Sequence, residues 1–230
     1  MIPLNVSYLF SKDTAHELQP SKLQLFQDMV KQTQDKFSDK KIVVLADGLF
    51  STIEILKWCI ENNIPAEMRM HTNRKVLYKG QLIKLKDLSD LQPRGRHKAR
   101  TVNVEWHDLK ISVTADKRKD KRGNESIVYL VSTYKDKPAN HVAAYKKRWG
   151  IEKMFRTTKQ YLGLQDCQSK SLKVQFQHLA SVFLSYAFLQ IAQKKYKFEN
   201  PEDTIRWFKS QEFEKIKAWI TSLDQIIGIT

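Results

Sequence analysis

Residues 41–70 read KIVVLADGLFSTIEILKWCIENNIPAEMRM and predict a strand, a helix and a second strand in succession. The first strand is short and wholly apolar, which is typical of a strand covered on both faces of a sheet. Ser51 and Glu54 have the spacing of a helix capping box, and the apolar residues behind them predict a helix. A turn then leads into a strand at residues 66–70. This pattern predicts a mixed α/β fold in which Asp47 directly follows the first strand.

The rest of the chain changes character at three points. Residues 1–72 form the first part of the predicted α/β core. Residues 73–126 consist of short alternating segments and charged turns, which predict a basic β-rich insertion. The core resumes over residues 127–196, and residues 197–230 predict a C-terminal helical region.

The charge balance favours a polyanionic partner. Forty Lys and Arg against twenty-five Asp and Glu give a formal net charge of +15. Release of counterions from phosphates favours nucleic acid over an acidic membrane surface. The most apolar stretch, residues 182–192, is too short to span a bilayer. Cys59 and Cys167 lack metal-ligand spacing, and no export leader is evident, so we expect a cytoplasmic protein without a membrane partner.

Four polar residues share one face of a helix predicted from about residue 140 to at least residue 161. Tyr145, Arg148, Glu152 and Lys159 fall, at about 100° per residue, in a stripe roughly 60° wide. An apolar edge lies beside that stripe, formed by Ala144, Ile151, Phe155 and Leu162. A carboxylate among Arg, Lys and Tyr suits a metal ligand flanked by phosphate-binding groups. The alternative is an ordinary Arg148–Glu152 pair with Lys159 solvated.

The same residues resemble a motif of insertion-sequence transposases of the IS4 group, which belong to the DDE class. The motif is Tyr-x2-Arg-x3-Glu-x6-Lys, and it lies in YKKRWGIEKMFRTTK, residues 145–159. The segments LVST before it, YLGLQ after it and VVLADGLFS upstream also resemble this family. The resemblance runs from residue 2 to about residue 190, and it implies an RNase H-like mixed sheet with flanking helices.

The resemblance implies a role for each matching residue. Asp47 matches the second aspartate of the catalytic triad and Glu152 its glutamate, and in the family these carboxylates bind two divalent ions, Mg²⁺ or Mn²⁺. Tyr145, Arg148 and Lys159 would contact phosphates of the transposon end. The implied function is metal-dependent cleavage and strand transfer on double-stranded DNA, at transposon ends and target DNA, by a homodimer on DNA.

The first aspartate of the triad is where this sequence departs from the family pattern. The family places it on a strand before a segment like residues 2–10, and no such strand precedes that segment here. Asp13, Asp28, Asp35 and Asp39 each lie in or beside a polar helix or turn. We therefore expect a truncated transposase. The alternatives are a catalytically dead fragment that binds DNA or regulates transposition, and a basic nucleic-acid-binding module of other origin.

Several other residues have two interpretations. Trp106, in the predicted insertion, either holds a flipped base or packs on the sheet. A basic loop either follows a DNA backbone or forms a solvated turn; its cations are Arg94, Arg96, Lys98 and Arg100. Trp149 is predicted to pack. Structural roles are also predicted for the histidines that lack ligand spacing, among them His97, His107 and His141.

Overall fold

A seven-stranded sheet forms the centre of the computed structural model, which describes residues 21–227, with side chains to residue 222. Its strands are β1 (Val44–Ala46), β2 (Ala66–Met70), β3 (Lys75–Tyr78), β4 (Gln81–Lys84), β5 (Ala99–Trp106), β6 (Leu109–Lys119) and β7 (Glu125–Ser132). They lie in the order β1-β2-β7-β6-β5-β3-β4. β1 and β2 run parallel, and the other neighbours are antiparallel. Residues 2–10, for which the sequence also predicts a strand, lie outside the described residues, as does Asp13.

Helices flank this sheet and form the C-terminal region. They are α1 (Lys22–Lys36), α2 (Ile53–Glu61), α3 (Pro138–Lys146), α4 (Trp149–Tyr161), α5 (Leu172–Lys195), α6 (Pro201–Ser210) and α7 (Phe213–Ile227). Two short 3₁₀ helices follow β4, at Leu85–Asp87 and Ser89–Leu91. The predicted α/β class, with an RNase H-like mixed sheet and a helical C-terminal region, is confirmed.

The described chain forms two compact units. One ends at Trp149 and contains the whole sheet with α1, α2 and α3. The other begins at Gly150 and contains nearly all of α4 together with α5, α6 and α7. No helix within residues 21–227 is long and apolar enough to cross a membrane.

The parallel pair β1 and β2 has the strand–helix–strand connection that the sequence predicts. Val44 lies opposite Ala66, and α2 provides the crossover that parallel strands require. The predicted cap of α2 is wrong by one residue. The side chain of Thr52, not Ser51, accepts the Ile55 amide at 3.4 Å. Ser51 is buried instead.

The two faces of β2 have different environments. Met68 and Met70 are buried in one hydrophobic core with Phe26 of α1 and Leu56 of α2. Burial of each such side chain contributes about 1.5–3 kcal/mol to folding. Residues 67 and 69 alternate with the methionines and so point to the opposite face, against which α3 packs.

The strands of the β-rich segment extend the core sheet. β6 pairs with β7 along residues 112–119, and β5 pairs with β6 over its full length. The β5–β6 hairpin turns at His107 and Asp108, which both have positive φ (48° and 64°), as a tight type I′ turn requires. Trp106 precedes this turn and is buried, with the Arg74 guanidinium 5.3 Å from its ring centroid. Its environment is that of a packing residue.

The prediction of one continuous helix from residue 140 to residue 161 is wrong. α3 ends at Lys146 and α4 begins at Trp149. In the turn between them, Lys147 N bonds to the oxygen of Ala144, three residues back, at 3.0 Å. The 60° stripe and the apolar edge were both predicted for one continuous helix, so neither follows once the helix is interrupted. Phe155 is 42% exposed, and the buried residues of α4 are Met154, Thr157 and Thr158.

The C-terminal helices follow their sequence signals. α5 contains the apolar stretch at residues 182–192, and its buried residues recur at helical spacing: Val182, Tyr186, Leu189 and Ala192. Asn200 caps α6 by accepting the Asp203 amide at 2.9 Å. Trp219 of α7 is buried against the Phe208 ring of α6, with ring centroids 5.3 Å apart. An aromatic cluster therefore joins these helices.

Candidate active site

Asp47 lies at the carboxyl end of β1. Its Oδ1 accepts the Leu49 amide at 2.9 Å, which fixes the side chain in a tight turn. The neighbouring Gly48 is close to the end of β2: a Cβ at this position would lie 3.5 Å from both the Arg69 oxygen and His71 Nε2. Because parallel strands end at the same edge of a sheet, Asp47 is brought beside Arg69.

Tyr145 and Arg148 lie on the same side of the sheet as Arg69. Tyr145 is on α3, which packs against β2, and its side chain is only 3% exposed. The Arg148 guanidinium lies 5.6 Å from the centroid of the Tyr145 ring, within the range of a cation–π interaction. Tyr145 therefore supports and orients Arg148.

Electrostatic interactions connect these residues. Burial raises the pKa of Tyr145 above its ordinary value, and the Asp47 carboxylate raises it further. The Arg148 and Arg69 guanidinium groups oppose this shift, since both favour the phenolate. We call Asp47, Arg69, Tyr145 and Arg148 the strand-edge cluster. It combines one carboxylate with two permanent cations and a tyrosine that keeps its proton at neutral pH.

Glu152 and Lys159 lie in the second compact unit, on α4. They are seven residues apart on one helix, so they project within about 20° of each other. The predicted joint site of Asp47 and Glu152 stays a prediction.

The carboxyl end of α4 is closed by a glycine turn. Leu162 N and Leu164 N both donate to the Thr158 oxygen at 3.1 Å, and Gly163 between them has φ +66°. His178 of α5 lies with its Nε2 2.8 Å from the Gly163 oxygen. These bonds hold the end of the helix that carries Glu152 against α5.

Arg69 is a residue of this cluster that the sequence does not predict. Residues 66–70 predict a strand, and the charged residues that alternate with its apolar ones match no motif. That alternation was the available signal, because Glu67 and Arg69 share the face opposite the core.

The described residues do not bring together all the ligands of the metal site that the resemblance implies. No three His, Cys, Asp or Glu side chains within the described part of the chain come together as a metal-ligand group. Asp28 and Asp35 are exposed on α1, and Asp39 is exposed beside Lys40, so none of the three ends a strand. Asp47 supplies one oxygen donor of the kind that Mg²⁺ prefers.

Comparison with known families identifies a transposase domain. A family model described as a transposase DDE domain matches residues 15–188. That span includes the whole strand-edge cluster together with Glu152 and Lys159. No curated protein matches the chain significantly.

Proposed function

We propose that this chain, which belongs to the transposase DDE domain family, is a catalytic-domain protein of an IS4-type transposase. Its reaction is metal-dependent cleavage and strand transfer at the ends of an insertion sequence, and it acts as a homodimer on DNA. The observation that carries this proposal is Asp47 at the carboxyl end of a parallel strand, next to Arg69, Tyr145 and Arg148.

We assign the metal to Asp47 and Glu152, with Mg²⁺ or Mn²⁺ as the ion. A bound divalent ion would polarise the scissile phosphodiester and stabilise charge on the leaving oxygen. A two-ion site needs a further carboxylate, which the described residues do not place beside Asp47. Metal binding and DNA cleavage are therefore separate properties to be measured.

The phosphates of the DNA end are assigned to Arg148, Lys159 and Arg69. Arginine suits this role because its planar guanidinium can donate two hydrogen bonds to one phosphate. Tyr145 acts by positioning Arg148, since its ring is buried beneath the guanidinium. Cations placed beside a metal-binding carboxylate hold the backbone while the carboxylate holds the ion.

The test uses a duplex carrying the terminal sequences that flank the gene for this chain. Mn²⁺ binding is measured calorimetrically, and strand cleavage is followed on a denaturing gel, for the unaltered chain, Asp47→Asn and Glu152→Gln. Asp35→Asn is the control because Asp35 is an exposed carboxylate on α1. We expect both site variants to lose metal binding, together with any cleavage that the unaltered chain shows, while the control behaves like the unaltered chain.

The outcomes separate the two candidate functions. DNA binding without cleavage by the unaltered chain would favour a non-catalytic transposase fragment. Metal binding and cleavage that survive both Asp47→Asn and Glu152→Gln would contradict the assignment of these residues.

A further inference from the structure

A cleft with a volume of about 860 Å³ lies where β6 ends and where β5 and α3 begin. All of its lining residues belong to the compact unit that ends at Trp149. Asp47, Tyr145 and Arg148 do not line it. We call it the basic cleft, because seven of the fifteen residues that line it are Lys or Arg.

Five of the seven cations come from the sheet side. Arg96 and Lys98 precede β5, and residues 117–119 end β6. Lys117 N donates to the Lys98 oxygen at 2.8 Å, which continues the β5–β6 pairing and fixes the backbone of Lys98. A tight turn at Gly95, with φ +58°, places Arg96 next to it. The cations are thus carried on ordered backbone.

The other side of the cleft is α3, which lines it from the N-cap to the last residue of the helix. Lys137 and Lys146 contribute its charges, and the small residues Ala139 and Ala143 line the wall between them. Lys137 is the N-cap and makes no side-chain capping bond. The partial positive charge at this end of the helix adds to that of the lysines. A small-residue wall also lets a polymer backbone approach closely.

The carboxylates near the cleft leave much of this charge uncompensated. Glu125 pairs with Lys117 and Lys119, and Asp116 accepts Arg118 Nε at 2.7 Å. Four cations form no salt bridge with a described residue: Arg96, Lys98, Lys137 and Lys146. Arg118 Nη2 is buried and has no hydrogen-bond partner among the described residues. An anion in the cleft would supply the acceptor that this donor lacks.

We propose that the basic cleft binds the sugar-phosphate backbone of duplex DNA, separately from the residues assigned to the transposon end. This inference rests on the proposed function, in which duplex DNA is the substrate. Lys and Arg dominate the lining of the cleft, and such side chains position a protein on DNA through its phosphates, so we expect binding that depends little on base sequence. The prediction that Trp149 packs is wrong: its side chain is 46% exposed at the cleft and offers an apolar face to deoxyribose.

The test is a salt titration of duplex binding by the charge-reversal variant Lys98→Glu/Lys137→Glu. Both side chains are exposed and lie on opposite walls of the cleft, so the fold should tolerate them. The matched control is Lys75→Glu/Lys86→Glu, which changes the charge equally at two exposed positions outside the cleft. Thermal unfolding of each variant verifies that it is folded.

We expect the cleft variant to bind random-sequence duplex at least about tenfold more weakly at moderate salt. The slope of log K against log salt should fall by about 1.8, because each lost phosphate contact removes roughly 0.9. The control should bind within about twofold of the unaltered chain. Unaltered binding by the folded cleft variant would overturn the assignment of DNA to the basic cleft and would leave the proposed function in place. Absence of duplex binding by the unaltered chain would overturn the proposed function as well, and a strong preference for duplex RNA would overturn the assignment to DNA.

Discussion

His141 Nδ1 lies 3.6 Å from Glu67 Oε1, and both side chains are completely buried. The Tyr134 hydroxyl donates to Glu67 Oε2 at 2.9 Å, and the Ser132 hydroxyl lies 3.1 Å from His141 Nδ1. Glu67 is two residues before Arg69 on β2, and His141 is four residues before Tyr145 on α3. This buried pair therefore fixes α3 on β2 directly next to the strand-edge cluster.

The first prediction concerns the coupling within this pair. Loss of one partner leaves a buried polar group without compensation, whereas loss of both leaves an apolar contact. We expect Glu67→Leu and His141→Leu each to lower the free energy of unfolding. The double variant should lose less than the sum of the two single losses. The coupling energy from urea denaturation should exceed about 1 kcal/mol. Additive effects would show that the two groups act independently.

The second prediction concerns alkaline pH. Burial raises the pKa of Tyr134 far above its ordinary value of 10.0, and the Glu67 carboxylate raises it further. Because the pKa of Tyr134 is higher in the folded than in the unfolded state, its protonated side chain stabilises the fold below pH 10. This stabilisation is lost as the pH rises towards the folded-state pKa. Stability should therefore fall steeply above about pH 10, and less steeply in Tyr134→Phe. Equal slopes in urea denaturation against pH for both proteins would contradict this account.

The third prediction concerns the two thiols. Cys59 is buried in the core, which raises its pKa to about 12, while Cys167 is partly exposed. The thiolate is the reactive form, so a chromogenic disulfide reagent at pH 8 should label one cysteine rapidly in the folded chain and both in denaturant. Cys167→Ala should abolish the rapid phase. Two rapid equivalents in the folded chain would show that Cys59 is accessible.

The fourth prediction concerns the turn that ends α4. A Cβ on Gly163 would lie 2.7 Å from Asp166 Oδ2, and the backbone there has φ +66°. Gly123 also has positive φ, yet a Cβ at that position would meet no atom within 4 Å. Gly123→Ala should cost about 1 kcal/mol from backbone strain. Gly163→Ala should cost at least as much in urea denaturation, because the Asp166 carboxylate must also turn away from the new Cβ, and a smaller loss than in Gly123→Ala would contradict this account.

Local sequence patterns were sufficient for most of the fold. The wholly apolar run before Asp47 and the helical spacing of α5 depend only on neighbouring residues, and both elements are present. The break between α3 and α4 was not predictable in this way. Neither Lys147 nor Arg148 is a helix-breaking residue, so the helical pattern reads through the turn.

The parts of the site that sequence reasoning missed depend on long-range packing. Arg69 and Tyr145 are brought together only because α3 packs on β2. The basic loop shows the same limitation. Arg96 and Lys98 line the basic cleft, whereas Arg94 donates to the Ser89 oxygen at 3.1 Å and Arg100 lies within β5. Sequence alone could not separate these four cations.

The most direct test of the proposed active site is iron-directed cleavage of the protein backbone. Fe²⁺ replaces Mg²⁺ in the chain bound to duplex DNA, and ascorbate with peroxide then generates radicals that cut the polypeptide next to the ion. If Asp47 and Glu152 share a metal, fragments should end near residues 47 and 152 together. Excess Mg²⁺ should suppress both, and Asp47→Asn should remove both, while Asp35→Asn should leave them unchanged. Cuts near only one of the two residues, or a pattern that Asp47→Asn does not alter, would contradict the shared metal site.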